Sequence, residues 1–175
     1  MKQTIYFYEG SHQDPLFLTK AINDFTKQEK IDTPWRIYRK ESKKIAIEDD
    51  LFYISKSNTP QHSYLICSKI PCSLDMQEAR DVKILKIAEK FFLEEEIHYI
   101  KQNPNKNFYT VWCLKEAYIK YFEGKMEEMM HTFSVMPLIH QTAKDFYAFT
   151  DQYQTDLHRA IIAPYPFTVS KQTLQ

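Results

Sequence analysis

The order of strand-like and helix-like segments predicts an α+β chain built of two pseudo-symmetric α/β halves. Three observations lead there. A strand–helix–strand succession occurs twice, with the halves meeting near Lys69 to Pro71, so the domains expected are residues 1–70 and 71–175. Only two glycines occur, Gly10 and Gly124, which excludes folds that cradle phosphate in a glycine-rich loop. Aromatic residues make up 15% of the 175 residues, enough to fill the core of a mixed fold of this size.

In the first half, Lys2 to Tyr8 reads as a strand ending near Glu9-Gly10. Apolar residues at Leu16, Leu18, Ala21, Ile22 and Phe25 then predict an amphipathic helix to about Lys30, with Asp14 as its cap and Pro15 at its first position. Trp35 to Lys44 alternates and is basic, through Arg36, Arg39, Lys40, Lys43 and Lys44. Leu51–Ser55 and Ser63–Cys67 read as strands around a turn at Asn58-Thr59-Pro60.

In the second half, residues 72–77 predict a strand with Leu74 and Met76 on one face and Ser73, Asp75 and Gln77 on the other. Helices are expected over 78–92, from Leu93 to Ile100, and from Phe108 to about Glu123. Strand signals follow at His131–Met136, Phe146–Thr150 and His158–Pro164.

Basic and acidic residues balance at 23 each, so no global field favours nucleic acid or an anionic membrane. No apolar run approaches the ~20 residues of a membrane span, and the first residues read as a strand rather than a signal peptide. Three scattered cysteines, Cys67, Cys72 and Cys113, suit reduced thiols in a cytoplasmic protein better than a disulfide framework or a zinc site.

The chemistry concentrates in Trp112-Cys113-Leu114-Lys115-Glu116-Ala117-Tyr118-Ile119-Lys120. At ~100° per residue the helix is apolar nearly all round, with Glu116, Lys120 and Glu123 on a narrow strip and Lys115 inside the apolar arc. A helix of that kind is buried, and buried charges must be paired or meet metal. A Glu116–Lys120 salt bridge with Lys115 reaching out to solvent is the plain alternative. The strand carboxylate Asp75 poses the same problem, since a carboxylate in an apolar strand needs a cation unless it lies at an exposed edge. Together, one strand carboxylate and one helix carboxylate suit Mg²⁺, which takes one or two carboxylates and fills its other positions with water and phosphate oxygens.

The helix Trp112–Lys120 resembles the signature of the phosphopantetheinyl transferase superfamily, an aromatic followed by [Ser/Cys/Thr]-x-Lys-Glu-[Ala/Ser]-x-x-Lys. Leu74-Asp75 resembles its Gly-[Ile/Val]-Asp-[Ile/Val]-Glu strand. Phe52 to Ser57 resembles its Phe-Asn-x-Ser-His-Ser segment, and Ile87 to Phe92 with Glu94, Glu95 and Glu96 resembles its Phe-Phe-[Ser/Thr]-x-x-Glu helix end. The four motifs stand in the family's order over residues 52–124, and a weaker likeness to the larger, surfactin-synthetase-activating type reaches Lys40–Lys44 and the tail.

The resemblance implies a transferase that moves the 4'-phosphopantetheinyl group of coenzyme A to a serine of an apo acyl or peptidyl carrier protein, with Mg²⁺. It implies Asp75 and Glu116 as metal ligands, with Gln77 where a second strand acid usually stands, and Glu116 and Lys120 as catalytic. It further implies Lys115, Lys120, Lys56 and Lys43 as contacts to the substrate's phosphates. Two halves in one chain make a monomer sufficient. Ser73 for the motif glycine and Gln77 for its acid also leave open a non-catalytic relative that binds a carrier protein or a nucleotide.

Overall fold

A computed structural model describes residues 2–40 and 45–174 and divides the chain into two compact units, one up to Leu74 joined by the stretch from Ala163 onward, the other Asp75–Ile162. Among the described residues there are nine strands and six α-helices, so the α+β class holds.

The first unit is a sheet of order β4-β5-β1-β9 covered by one helix. Its central strand β1 (Gln3–Ser11) runs antiparallel to β5 (His62–Ser68), Ile5 facing Ser68, and parallel to β9 (Phe167–Gln172), Gln3 facing Phe167. Strand β4 (Tyr53–Asn58) completes a hairpin with β5 around the expected turn, closed by the Thr59 N–H on the His62 carbonyl at 2.9 Å. Helix α1 (Phe17–Gln28) buries Phe17, Ala21, Ile22 and Phe25, the one-sided spacing that its sequence carries. It begins two residues later than expected: Asp14 uses its carboxylate to accept the Leu16 N–H at 2.9 Å, shaping the turn before the helix rather than capping it. Gly10 is required by close approach, since a Cβ there would lie 2.2 Å from the Phe17 ring. The basic segment forms a short ribbon of β2 (Ile37–Arg39) and β3 (Ile45–Ile47). Lys43 lies outside the described residues.

The second unit has the sheet order β6-β8-β7, made by β6 (Ser73–Glu78), β7 (Tyr147–Gln154) and β8 (Leu157–Ala163). Between β6 and β7 run α2 (Ile84–Phe91), α3 (Glu94–Gln102), α4 (Pro104–Tyr121) and two single-turn helices, α5 (Met126–Met129) and α6 (Met136–Ile139). Helix α4 forms the core of this unit, burying Phe108, Tyr109, Val111, Cys113, Leu114, Ala117 and Ile119, each large apolar side chain contributing about 1.5–3 kcal/mol of transfer free energy. It starts at Pro104 rather than Phe108, because proline's fixed φ and missing N–H suit the first turn.

Two further expectations are corrected. Helix α2 starts at Ile84, not at residue 78, because Arg80 is held outside the helix by the Tyr109 hydroxyl, which accepts its N–H at 2.7 Å and donates to its carbonyl at 3.0 Å. The stretch 131–136 is turn followed by the start of α6, not a strand. Strand β9 was not foreseen. Cys67, Cys72 and Cys113 are free and buried.

Candidate active site

Strand β6 and helix α4 bring the site together inside the second unit. Both faces of β6 are covered over its first four residues, so Asp75 is only 5% exposed. On α4, Cys113, Glu116 and Lys120 are spaced three and four residues apart and share one stripe. That stripe faces Asp75. The Lys120 ammonium donates to Asp75 Oδ1 at 2.5 Å, and the Cys113 thiol, which also donates to the His158 carbonyl at 3.7 Å, meets the Asp75 carboxylate.

Glu116 is the half-buried member. Among the described residues its carboxylate makes no hydrogen bond, and burial first, then the Asp75 charge, push its carboxyl up to about 7, against the pull of Lys120. Burial alone would lower the Lys120 ammonium, but Asp75 and Glu116 outweigh it and hold it above its ordinary value. Hence Lys120 stays charged, Asp75 is its partner, and Glu116 sits near half-ionisation at neutral pH. The plain salt bridge along the helix is not what the chain builds: Lys120 reaches across to the strand.

The set fits a hard divalent cation. Among the described residues no group of three or more His, Cys, Asp and Glu stands together, so the chain offers two carboxylates and leaves the remaining positions to water and substrate. That is the usual donor set for Mg²⁺ beside a polyphosphate. A dication would also relieve the repulsion that raises Glu116.

The other expected residues fall elsewhere. Gln77 is partly buried and turns its amide back to donate to the Glu78 carbonyl at 3.0 Å. Lys56, on β4 of the first unit, has its ammonium lowered by burial and by the neighbouring Arg39 charge. Lys115 was expected at the substrate's phosphates, but it is fully buried, with Nζ 3.0 Å from Glu96 Oε2 and 2.6 Å from each of the Met130 and Phe133 carbonyls. Its ammonium is lowered by burial, with Glu96 opposing. The correction has a physical cause: an ammonium in an apolar arc reaches solvent only if a path lies open, and here a buried carboxylate captures it. Glu96 and Cys113 were given no role from sequence. Both lie in stretches quoted above, Glu96 in the Phe-Phe-[Ser/Thr]-x-x-Glu helix end and Cys113 in the signature helix, and the spacing Cys113–Glu116–Lys120 could have marked the second.

A model of the 4'-phosphopantetheinyl transferase superfamily matches residues 72–170, more than half of the chain. The chain belongs to this superfamily. Membership makes it a transferase and puts its function in phosphopantetheinyl transfer, the reaction for which the family uses coenzyme A as donor and carrier proteins as acceptors, generally with Mg²⁺. The matched stretch contains Asp75, Gln77, Lys115, Glu116 and Lys120 of this transferase, while Lys43 and Lys56 precede it. No curated protein matches the chain significantly. No helix among the described residues is long and apolar enough to cross a membrane.

Proposed function

We propose that this transferase moves the 4'-phosphopantetheinyl group of coenzyme A onto a serine of an apo acyl or peptidyl carrier protein, as a holo-carrier-protein synthase. The observation that carries the reading is the half-buried Glu116 carboxyl, which makes no hydrogen bond among the described residues and stands beside Asp75 and the Asp75–Lys120 pair. A carboxylate with no partner fixed by the fold is available to accept a proton. Glu116, directly or through a water, takes the proton of the carrier serine as its oxygen attacks the β-phosphorus. The bond from that phosphorus to the bridging oxygen breaks, giving 4'-phosphopantetheinyl-serine and adenosine 3',5'-bisphosphate. Lys120, charged throughout, turns from Asp75 to the pyrophosphate and offsets the charge gathering on the leaving group.

Asp75 and Glu116 would hold Mg²⁺, with the Gln77 side chain near enough in sequence to supply a neutral oxygen. Bound there, the ion adds positive charge beside the pyrophosphate. Lys56 and Lys43 remain proposed phosphate contacts. A monomer acting in the cytoplasm, with the chemistry in the 71–175 half, completes the reading.

Intact-mass spectrometry of apo carrier proteins incubated with the transferase, coenzyme A and Mg²⁺ tests it. A gain of one phosphopantetheinyl group, dependent on Glu116, is expected. Coenzyme A binding with no modification of any carrier would favour the non-catalytic alternative.

A further inference from the structure

Lys115 and Glu96 are each 0% exposed, and each saturates the other's surroundings. The Lys115 ammonium spends its three protons on Glu96 Oε2 at 3.0 Å and on the Met130 and Phe133 carbonyls at 2.6 Å each. It also lies over the Phe133 ring, 4.6 Å from its centre. Glu96 Oε1 accepts the Val135 N–H at 2.9 Å and Oε2 accepts the Leu93 N–H at 3.0 Å. Three segments therefore meet on one ion pair: the start of α3, the middle of α4, and the stretch 130–135 between α5 and α6.

That stretch has no ladder of its own, so its buried backbone groups need partners from elsewhere. The ion pair supplies them for Met130, Phe133 and Val135. On the α4 wheel, Lys115 is rotated about 100° from Glu116 and about 140° from Lys120. The pair thus grips the helix from the side away from Asp75. An apolar contact can slide, whereas an ammonium with three fixed acceptors resists rotation of the helix that bears it.

We propose that Glu96 and Lys115 are positioning residues, an internal strut that fixes the roll of α4 and so aims Glu116 and Lys120 at Asp75. This rests on the active-site reading above. Lys115 then serves the reaction without touching the substrate, since freeing its ammonium would strand the Glu96 charge in the core.

The test is a double-mutant cycle of Lys115→Met, Glu96→Gln and both together, read three ways. Thermal melts and amide exchange of residues 130–135 are taken on the protein alone. Coenzyme A affinity comes from calorimetry, and kcat is expressed per folded protein. Each single change leaves one buried charge alone, so both are expected to speed exchange in 130–135 and to lower kcat about tenfold or more, since displacements near one ångström can cost about a hundredfold. Coenzyme A affinity should move less than about threefold, far below the loss of a charged contact. The double variant buries no charge and should be more stable than either single variant, with part of kcat restored.

The strut is overturned if Lys115→Met weakens coenzyme A binding while Glu96→Gln leaves affinity, turnover and exchange unchanged. It is equally overturned if the two changes are simply additive. If Lys115→Met does not fold, Lys115→Arg, which keeps the charge but alters its reach, carries the same readouts. Melts and exchange need no carrier protein, so a wild type that modifies no carrier would sink the proposed reaction while the strut is still decided on its own measurements.

Discussion

The two units share one strand order, β4-β5-β1 beside β7-β8-β6, and differ in the side chains set between strand and helix. In the first, β1 is followed by a helix and then by the hairpin β4–β5, whose second strand pairs with β1; in the second, β6 is followed by helices and then by β7–β8, whose second strand neighbours β6. In the first unit the strand presents phenols to carboxylates in α1 and just past its end. Tyr8 donates to Asp24 at 2.9 Å, Tyr6 donates to Glu29 at 2.6 Å, and Lys69 pairs with Glu29 at 2.6 Å. The Lys69 and Tyr6 contacts hold the Glu29 carboxyl below its ordinary value. In the second unit the strand presents Asp75 instead, and the helix carboxylate Glu116 is pushed up to about 7. A carboxylate whose bonds are supplied by the fold contributes to the fold. One that is half-buried beside a like charge, with no bond supplied by the fold, is available to take a cation or a proton.

The largest expected effect separates these two glutamates. Glu116→Gln should lower carrier modification by roughly a hundredfold or more, the scale of a lost general base, while its melting temperature holds or rises. Glu29→Gln should leave turnover alone and cost about 1 kcal/mol, the size of an ordinary bond to a partly exposed charge. Transfer assays beside thermal melts read both, and similar effects from the two changes would erase the distinction.

The two lysines sharpen it next. Lys120→Ala should weaken coenzyme A binding or turnover by roughly ten- to over a hundredfold, the worth of about 1.5–3 kcal/mol for a bond to a charged group. Lys69 is half exposed beside Glu29, and Lys69→Ala should cost no more than about 1 kcal/mol of stability. Calorimetry with coenzyme A showing unchanged affinity and turnover for a folded Lys120→Ala would leave Lys120 as the structural partner of Asp75 alone.

The pH dependence of stability should carry opposite signs in the two units. Glu116 is raised from 4.5 to about 7 in the folded chain, so across that window the folded state holds a proton that the unfolded state has released. Its contribution to stability therefore falls as pH rises through the window. Glu29 is lowered from 4.5, so its contribution is present above that value and is lost as pH falls through the depressed one. Glu116→Gln should accordingly gain stability relative to wild type between about pH 5 and about pH 8, and Glu29→Gln should not. Denaturant titrations at the two pH values check both, and a constant gap for Glu116→Gln would show that its carboxyl is not raised by the fold.

Much of this site was legible in the sequence because it follows local periodicity. Period two set Asp75 on one face of β6, and the 3.6-residue period gathered Glu116 and Lys120 on one stripe of an otherwise apolar helix; that both faces of β6 are covered was not legible. The fate of Lys115 was not legible. The helical wheel put it among apolar residues, but whether such a lysine escapes to water or finds a partner depends on Glu96, nineteen positions away and on another helix. The parallel pairing of β9 with β1 was hidden for the same reason, since it joins Gln3 to Phe167. Residues 131–136 read as a strand, yet they fold as turn and helix start, where Glu96 accepts the Val135 N–H and Lys115 donates to the Phe133 carbonyl.

The smallest expected effect concerns Gln77, where the unit's electrostatics can be pushed further in its own direction. Gln77 donates its amide to the Glu78 carbonyl at 3.0 Å, which turns the side chain along the strand. A glutamate cannot make that bond when ionised, so Gln77→Glu removes the restraint and adds a charge on the same strand as Asp75. If the residue faces the proposed ion, Mg²⁺ should bind several-fold more tightly, since a third carboxylate adds attraction but also raises the desolvation to be offset. The same charge should push the Glu116 carboxyl still higher in the absence of Mg²⁺, so the variant should be less stable than wild type without the ion and regain that loss when the ion is added. Melts with and without Mg²⁺ measure both limbs. A variant that loses stability equally in both conditions would mean that the new charge faces away from the ion, leaving Asp75 and Glu116 as the whole of what the chain offers it.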